Sequence, residues 1–224
     1  MIYIPNFNFN FYGLCLIVSF LIYIIILIVI AIKEKYKDYE IASLIALEGI
    51  VWMIAIFFFR SSFYALILIS IAGLNFFFIT KKDPMQLFAM LLFSVPLIYA
   101  IGKLGCFLNG CCYGIDYFGP LSVVYEKAEK APLNTFLFPI QLAETVANLI
   151  MFIAAMLIYH KKKNIRYTLP FNLIVCSIIK FTLDFLRAGR THILSLNQIF
   201  CIIASIIGIV IIIKIKNIKK KPLA

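Results

Sequence analysis

Charge is scarce in this sequence. Only 14% of its 224 residues are charged, where a soluble domain carries about a quarter. The 64% that are hydrophobic are more than a water-soluble shape of this size can hide, so the composition excludes a soluble globule and points to an integral membrane protein. Basic residues are absent from Met1–Asn10, so the positive n-region of a cleavable signal peptide is missing. There is no GxSxG and no paired histidine, which argues against a hydrolase built on Ser61 or Ser62. There is no CxxC, and neither His160 nor His192 lies beside the clustered cysteines, which argues against a metal centre. No short-period repeat is present. The net charge of +11 does not indicate nucleic acid, because the basic residues fall in short clusters between apolar runs, as membrane topology requires.

What is present is a series of apolar runs of spanning length. They predict an all-α polytopic membrane protein with about seven transmembrane helices, near residues 11–32, 41–59, 63–80, 85–104, 140–159, 168–186 and 196–213. Pro96 predicts a kink in the fourth. Residues 105–139 form the one long connection, rich in glycine and proline, with Leu121–Tyr125 as a short strand. The whole chain reads as a single transmembrane domain.

Seven spans put the two ends on opposite sides. With the N-terminus outside, the inner segments hold Lys33, Lys35 and Lys37, then Lys81 and Lys82, then Lys161, Lys162, Lys163 and Arg166, then Lys214, Lys216, Lys219, Lys220 and Lys221. The outer segments hold Arg60, Lys103, Lys127, Lys130, Arg187 and Arg190. Fourteen basic residues against six favour an outer N-terminus and a cytoplasmic C-terminus.

Several polar residues sit where an ionised group costs about 2.5–3.5 kcal/mol on insertion scales. Glu48, Glu144, Lys180 and Asp184 all lie within apolar runs. Lys180 and Asp184 are spaced i,i+4 and can pair on one helix face, with Arg187 three residues further along it. Gln141 and Glu144 share a face in the same way. Snorkelling to the interface is the bland reading for the charges near span ends.

The densest polar stretch is Gly102–Gly114, GKLGCFLNGCCYG, which reads as the floor of a site at the membrane surface. Its glycines are also explained by close helix packing alone. Cys106 and Cys111 are open to three readings: a disulfide on an oxidising outer face, inert small residues, or soft-metal ligands. Cys15, Cys176 and Cys201 lie inside apolar runs and read as small core residues.

Four motifs then follow in order: Gly102–Gly114; Pro139–Glu144 (PIQLAE); Lys180–Arg187 (KFTLDFLR); and Gln198 at the opening of the last span. Together they resemble the bacterial prolipoprotein diacylglyceryl transferase family, from about Phe63 onward. The resemblance implies transfer of the diacylglyceryl group of phosphatidylglycerol to the thiol of a prolipoprotein cysteine, at the outer face of the bacterial cytoplasmic membrane. It implies two substrates, phosphatidylglycerol and the signal-peptide region of the prolipoprotein, and neither cofactor nor metal. A phosphate leaving group needs fixed positive charge and donors, and the incoming thiol must become a thiolate. Lys103, Lys180 and Arg187 are therefore expected to hold the headgroup, with Asn109 and Gln141 orienting it and Glu144 and Asp184 pairing with the basic residues. Tyr64, or a carboxylate, is expected to help deprotonate the thiol. Gly105, Gly110, Tyr113 and Gly114 are expected to line the substrate site.

The chain departs from the family at several positions. Lys103 and Lys180 stand where arginine is usual, Cys106 for asparagine, Cys111 for glutamate, Asp184 for glutamate, and Tyr64–Ala65 for a His–Gly pair. Lysine offers a point charge where arginine offers a planar fork. Two alternatives follow: a relative acting on another lipid or acceptor, and a non-catalytic lipid-binding protein on the same fold.

Overall fold

The computed structural model describes residues 1–5, 11–54, 83–189 and 194–220. Among these, seven α-helices and one pair of short strands are formed: β1 (Ile2–Ile4), α1 (Phe11–Lys33), α2 (Asp38–Ile54), α3 (Pro84–Phe93), α4 (Val95–Asn109), β2 (Val123–Tyr125), α5 (Ile140–Lys162), α6 (Thr168–Leu183) and α7 (Leu196–Lys220). Five helical stretches are long and apolar enough to cross a membrane: Phe11–Lys33, Pro84–Asn109, Ile140–Lys162, Ile165–Leu186 and Leu196–Asn217. They correspond to the first, fourth, fifth, sixth and seventh expected spans. α2 covers the start of the second, and the third, 63–80, lies outside the described residues.

α1 packs on α4, α4 on α5, α5 on α6 and α6 on α7. The outward positions of α1 are apolar and recur at helical spacing, with Leu14, Ile17, Leu21 and Ile25 exposed. Water would penalise such a stripe and lipid does not. Inside, Tyr23, Leu27, Leu44, Leu87, Met90 and Ile165 form one buried cluster. A second cluster, with Phe107, Val123, Tyr125 and Leu137, lies toward the opposite end of α4.

The fourth span is broken where proline requires it. Asp83 caps α3, its side chain accepting from the Gln86 backbone N–H at 3.2 Å, and Pro84 occupies the first turn. The helix stops at Ser94 and restarts with Pro96 near the start of α4. A proline has no N–H to give the carbonyl four residues back. That carbonyl, Leu92 O, instead accepts from Asn172 Nδ2 on α6 at 2.9 Å. The expected kink is thus bound to a specific partner on another helix.

α4 runs further than the sequence predicts. Residues 102–109 of the glycine-rich stretch are helical, so the connection begins at Gly110 and not at residue 105. Gly105 explains why this helix is tolerated: a Cβ there would sit 2.9 Å from Cys15 Cβ and 3.1 Å from Tyr12 Cα, so α1 crosses α4 at this point. The close approach of the two helices gives Gly105 a packing role. Gly110 ends α4 with φ +65. Its N–H reaches Phe107 O at 3.4 Å and the Cys111 N–H reaches Cys106 O at 3.1 Å, the paired bonds of a Schellman turn. A side chain at Gly110 would also meet Ala128 Cβ at 2.4 Å.

The connection folds back as a small cap. The expected strand is present as β2, and it pairs in parallel with β1 in the register Ile2 to Val123. Val123 and Leu137 exchange both backbone bonds at 2.9 Å, and Ala131 N donates to Gly110 O at 2.9 Å. Ile115 N donates to Leu186 O at 3.1 Å and Ala188 N to Tyr113 O at 3.2 Å. The end of α4 is thereby laced to the chain just beyond α6.

Candidate active site

Glu144 stands in the second turn of α5 and is 1% exposed. A lone carboxylate so deep would be costly. Three cations answer it. Lys103 Nζ lies 2.6 Å from Oε2, Lys180 Nζ 2.9 Å from Oε1, and Arg187 Nη2 3.5 Å from Oε2. Lys103 arrives from the second half of α4, Lys180 from the last turn of α6, and Arg187 from the residue after the short 3-10 turn Asp184–Leu186. Residues separated in sequence by 84 positions therefore meet at one carboxylate.

Tyr99, one helical turn before Lys103, completes the hub. Its hydroxyl donates to Glu144 Oε1 at 3.3 Å and accepts from Lys180 Nζ at 2.6 Å. Both lysine ammonium groups also lie over its ring, at 5.2 and 5.3 Å from the centroid. Tyr99 lies outside the motifs of the sequence, and its i,i+4 spacing from Lys103 is the one local signal that places it on the same helix face.

The hub carries more positive than negative charge. Three cations face Glu144, and Asp184, the nearest further acid along the chain from Arg187, is otherwise engaged: its Oδ2 accepts from Ser195 Oγ at 2.6 Å. The expected Lys180–Asp184 pair is replaced, because Lys180 turns to Glu144 and Tyr99. Arg187 Nε and Nη2 are buried with no hydrogen-bond partner among the described residues. Burial opposes the charge on Arg187, but Glu144 beside it raises the guanidinium pKa on balance. The hub is thus a fixed, partly desolvated cation excess with donors to spare. An anion such as a phosphodiester completes it in charge and in hydrogen bonding.

The other expected residues separate into two groups. Gln141 is 1% exposed, and its Nε2 donates to Cys111 O at 2.9 Å and to Tyr125 Oη at 3.4 Å. It fixes the turn after α4. Gly114 allows a close approach, since a Cβ would meet Phe138 O at 2.5 Å, and it forms an isolated bridge with Arg187. Gln198 forms a reciprocal capping box with Ser195, its Oε1 accepting from Ser195 N at 3.0 Å while its own N–H donates to Ser195 Oγ at 3.2 Å. Asn109 closes α4 and Tyr113 follows in the turn beyond it, both partly buried. Tyr64 lies outside the described residues.

Three free thiols follow Lys103 in the chain, the first of them, Cys106, one helical turn beyond it. The Sγ atoms of Cys106, Cys111 and Cys112 are all within 4.8 Å of one another. Hydrogen bonding with Cys106 and Cys111, helped by Lys103 and Arg187, holds the Cys112 thiol below the usual thiol range.

The model of one protein family, described as prolipoprotein diacylglyceryl transferase, matches residues 60–214. The chain is 30% identical over 132 residues to a phosphatidylglycerol–prolipoprotein diacylglyceryl transferase of Clostridium tetani, covering 57% of this chain and 52% of that one. It is 26% identical over 142 residues to the protein named transferase 2 of Clostridium perfringens, covering 62% and 55%. With the Dehalococcoides mccartyi transferase it shares 30% identity over 121 residues, covering 53% and 44%. The chain spans about half the length of the curated relatives it matches. Because the family model covers the helices that build the Glu144 hub, and because it spans well over half of the residues, the chain belongs to the prolipoprotein diacylglyceryl transferase family.

Proposed function

We propose that the protein transfers the diacylglyceryl group of phosphatidylglycerol to the thiol of a prolipoprotein cysteine, near the start of the acceptor's mature sequence. The observation that carries the reading is the buried cation excess around Glu144: Lys103, Lys180 and Arg187 against one carboxylate. The headgroup phosphate is the anion that satisfies it. Arg187 supplies the unpaired N–H groups, the two lysines supply point charge, and Glu144 with Tyr99 keeps the lysines in place. Asn109 helps orient the headgroup, and Tyr113 contributes to the substrate site.

The reaction then follows from charge. The acceptor thiolate attacks the glycerol carbon that bears the phosphate ester. The S–C bond forms as the C–O bond breaks, and glycerol phosphate leaves with the electron pair. Negative charge builds on the leaving oxygen, where preorganised cations stabilise it most. Removal of one such donor typically costs ~10²–10³ in rate. Glu144 is engaged by the cations and is not available as the base for the thiol.

We also infer seven spans, an outer N-terminus and a cytoplasmic C-terminus in the bacterial inner membrane. The distribution of charge along the bundle supports this. Lys33, Lys161, Lys162, Arg166, Lys214 and Lys216 fall at one set of helix ends, while the hub lies at the other. Expression in cells depleted of their own transferase tests the function. Lipid-modified precursor is the expected result; unmodified precursor alongside well-expressed, membrane-inserted protein contradicts it.

A further inference from the structure

The thiol cluster stands apart from the contacts of the Glu144 hub, and its geometry is specific. Cys106 lies in the last turn of α4. Cys111 follows the left-handed Gly110, and its N–H is bonded back to Cys106 O at 3.1 Å. Cys112 itself has φ +55. The Schellman turn and this second left-handed residue fold the chain over the helix end, so three sulfurs converge within 4.8 Å without any CxxC spacing. The missing CxxC, which argued against a metal, is replaced by backbone geometry. Cys106 and Cys111 are buried and Cys112 is exposed, so the cluster is closed on one side and reachable on another.

It is also tied to the cation hub twice. Cys106 is three residues beyond Lys103 on one face of α4. Gln141, one turn before Glu144 on α5, holds Cys111 O at 2.9 Å. The hub can hold a leaving group, but its carboxylate is spent on three cations, and His160 lies near the opposite end of α5. What the described hub lacks is a way to make the acceptor a thiolate.

We propose that Cys106, Cys111 and Cys112 bind a thiophilic divalent cation, zinc by preference, as a three-thiolate site whose fourth position takes the acceptor thiol. The second half of this statement rests on the transferase reading above. Zinc holds thiolates at ~2.3 Å in a tetrahedron, which sets sulfurs ~3.8 Å apart, so the cluster closes onto an ion by movements of about 1 Å. Three protein ligands with one open position is the pattern of catalytic zinc, where closed four-ligand sets are structural. A divalent ion with three thiolates carries one net negative charge, which complements the excess positive charge of the hub. A thiol that coordinates the ion gives up its proton, here to water at the interface. The bound thiolate then attacks the glycerol carbon, the C–O bond breaks, and the phosphate leaves into the hub. No electron is gained or lost by the metal.

The test uses the full chain purified in detergent under reducing conditions, with elemental analysis for bound metal and cobalt(II) as the spectroscopic probe. One zinc per chain is expected, with a cobalt–sulfur charge-transfer band that shifts when a cysteine-containing acceptor peptide is added and not when its serine counterpart is. Cys112→Ser, at the exposed position, is expected to lose the stoichiometric metal and the band, while Cys176→Ser keeps both. Circular dichroism confirms that each variant is folded. Folded wild-type protein without metal and without the cobalt band overturns the proposal, as does recovery of these thiols as a disulfide from native membranes. Transfer that persists undiminished after chelation overturns the catalytic role of the ion and leaves the transferase reading standing. Metal and a peptide-responsive band without any lipid transfer support the site and count against the transferase reading instead.

Discussion

The two ends of the helix bundle treat charge in opposite ways. At one end, Arg166 Nε meets Asp83 Oδ2 at 2.7 Å, yet the two side chains remain 43% and 37% exposed. Nearby Glu34 accepts from Gln86 Nε2 at 2.6 Å and from Tyr159 Oη at 3.0 Å. These contacts sit at helix ends and hold them in register. At the other end, Glu144 is buried and outnumbered three to one. An exposed pair is worth ~0–1 kcal/mol because water and salt compete for both partners. A buried, unbalanced cluster is a cost to the fold, and proteins keep such costs where they bind something. The comparison separates the charges that build the bundle from those that equip it.

The sharpest way to break the comparison is to remove the buried carboxylate. Glu144→Gln leaves three cations facing one another, and thermal unfolding in detergent is expected to show a loss of ~3–5 kcal/mol. Phosphatidylglycerol should restore part of this loss, because an anion takes the place of the missing charge. Arg187→Ala comes next. It leaves the fold standing but lowers transfer by ~10²–10³-fold, read as modified peptide per unit time. Asn172→Leu then tests a polar contact with no part in the hub. It orphans the Leu92 carbonyl at the Pro96 break and should cost ~1–3 kcal/mol of stability. Any activity lost should follow stability, with the same lipid affinity in the folded fraction. The smallest effect is expected from Arg166→Ala, ~0–1 kcal/mol in the same unfolding assay, with transfer unchanged. If Arg166→Ala and Arg187→Ala behaved alike, the distinction between the two ends would collapse.

How much of this was legible in the sequence depended on the kind of signal. Five of the expected spans were readable because twenty apolar residues have few other fates, and the break at Pro96 because proline cannot complete the helix ladder. The hub was half readable. The i,i+3 and i,i+4 spacings grouped Lys180 with Arg187 and Gln141 with Glu144, since these are facts about one helix. Which helix each group faces is not a local fact, so Lys180 was matched to Asp184 on its own helix and not to Glu144 on its neighbour. The same limit hid the duties of Gly105 and Gln141. Both look like site residues in the motif, and both serve contacts with chain remote in sequence. The convergence of the three thiols was hidden for another reason. It depends on left-handed backbone at Gly110 and Cys112, and only the glycine advertises that conformation.

The central claim is that the Glu144 hub holds the phosphate of a lipid headgroup while a thiol displaces it. The most direct measurement is mass spectrometry of a cysteine-containing lipoprotein signal peptide incubated with the purified protein and phosphatidylglycerol. The account predicts a peptide heavier by one diacylglyceryl group in thioether linkage, with glycerol phosphate released in equal amount, and a sharp loss of both with Arg187→Ala. An unmodified peptide and no glycerol phosphate, from folded protein supplied with both substrates, would contradict it.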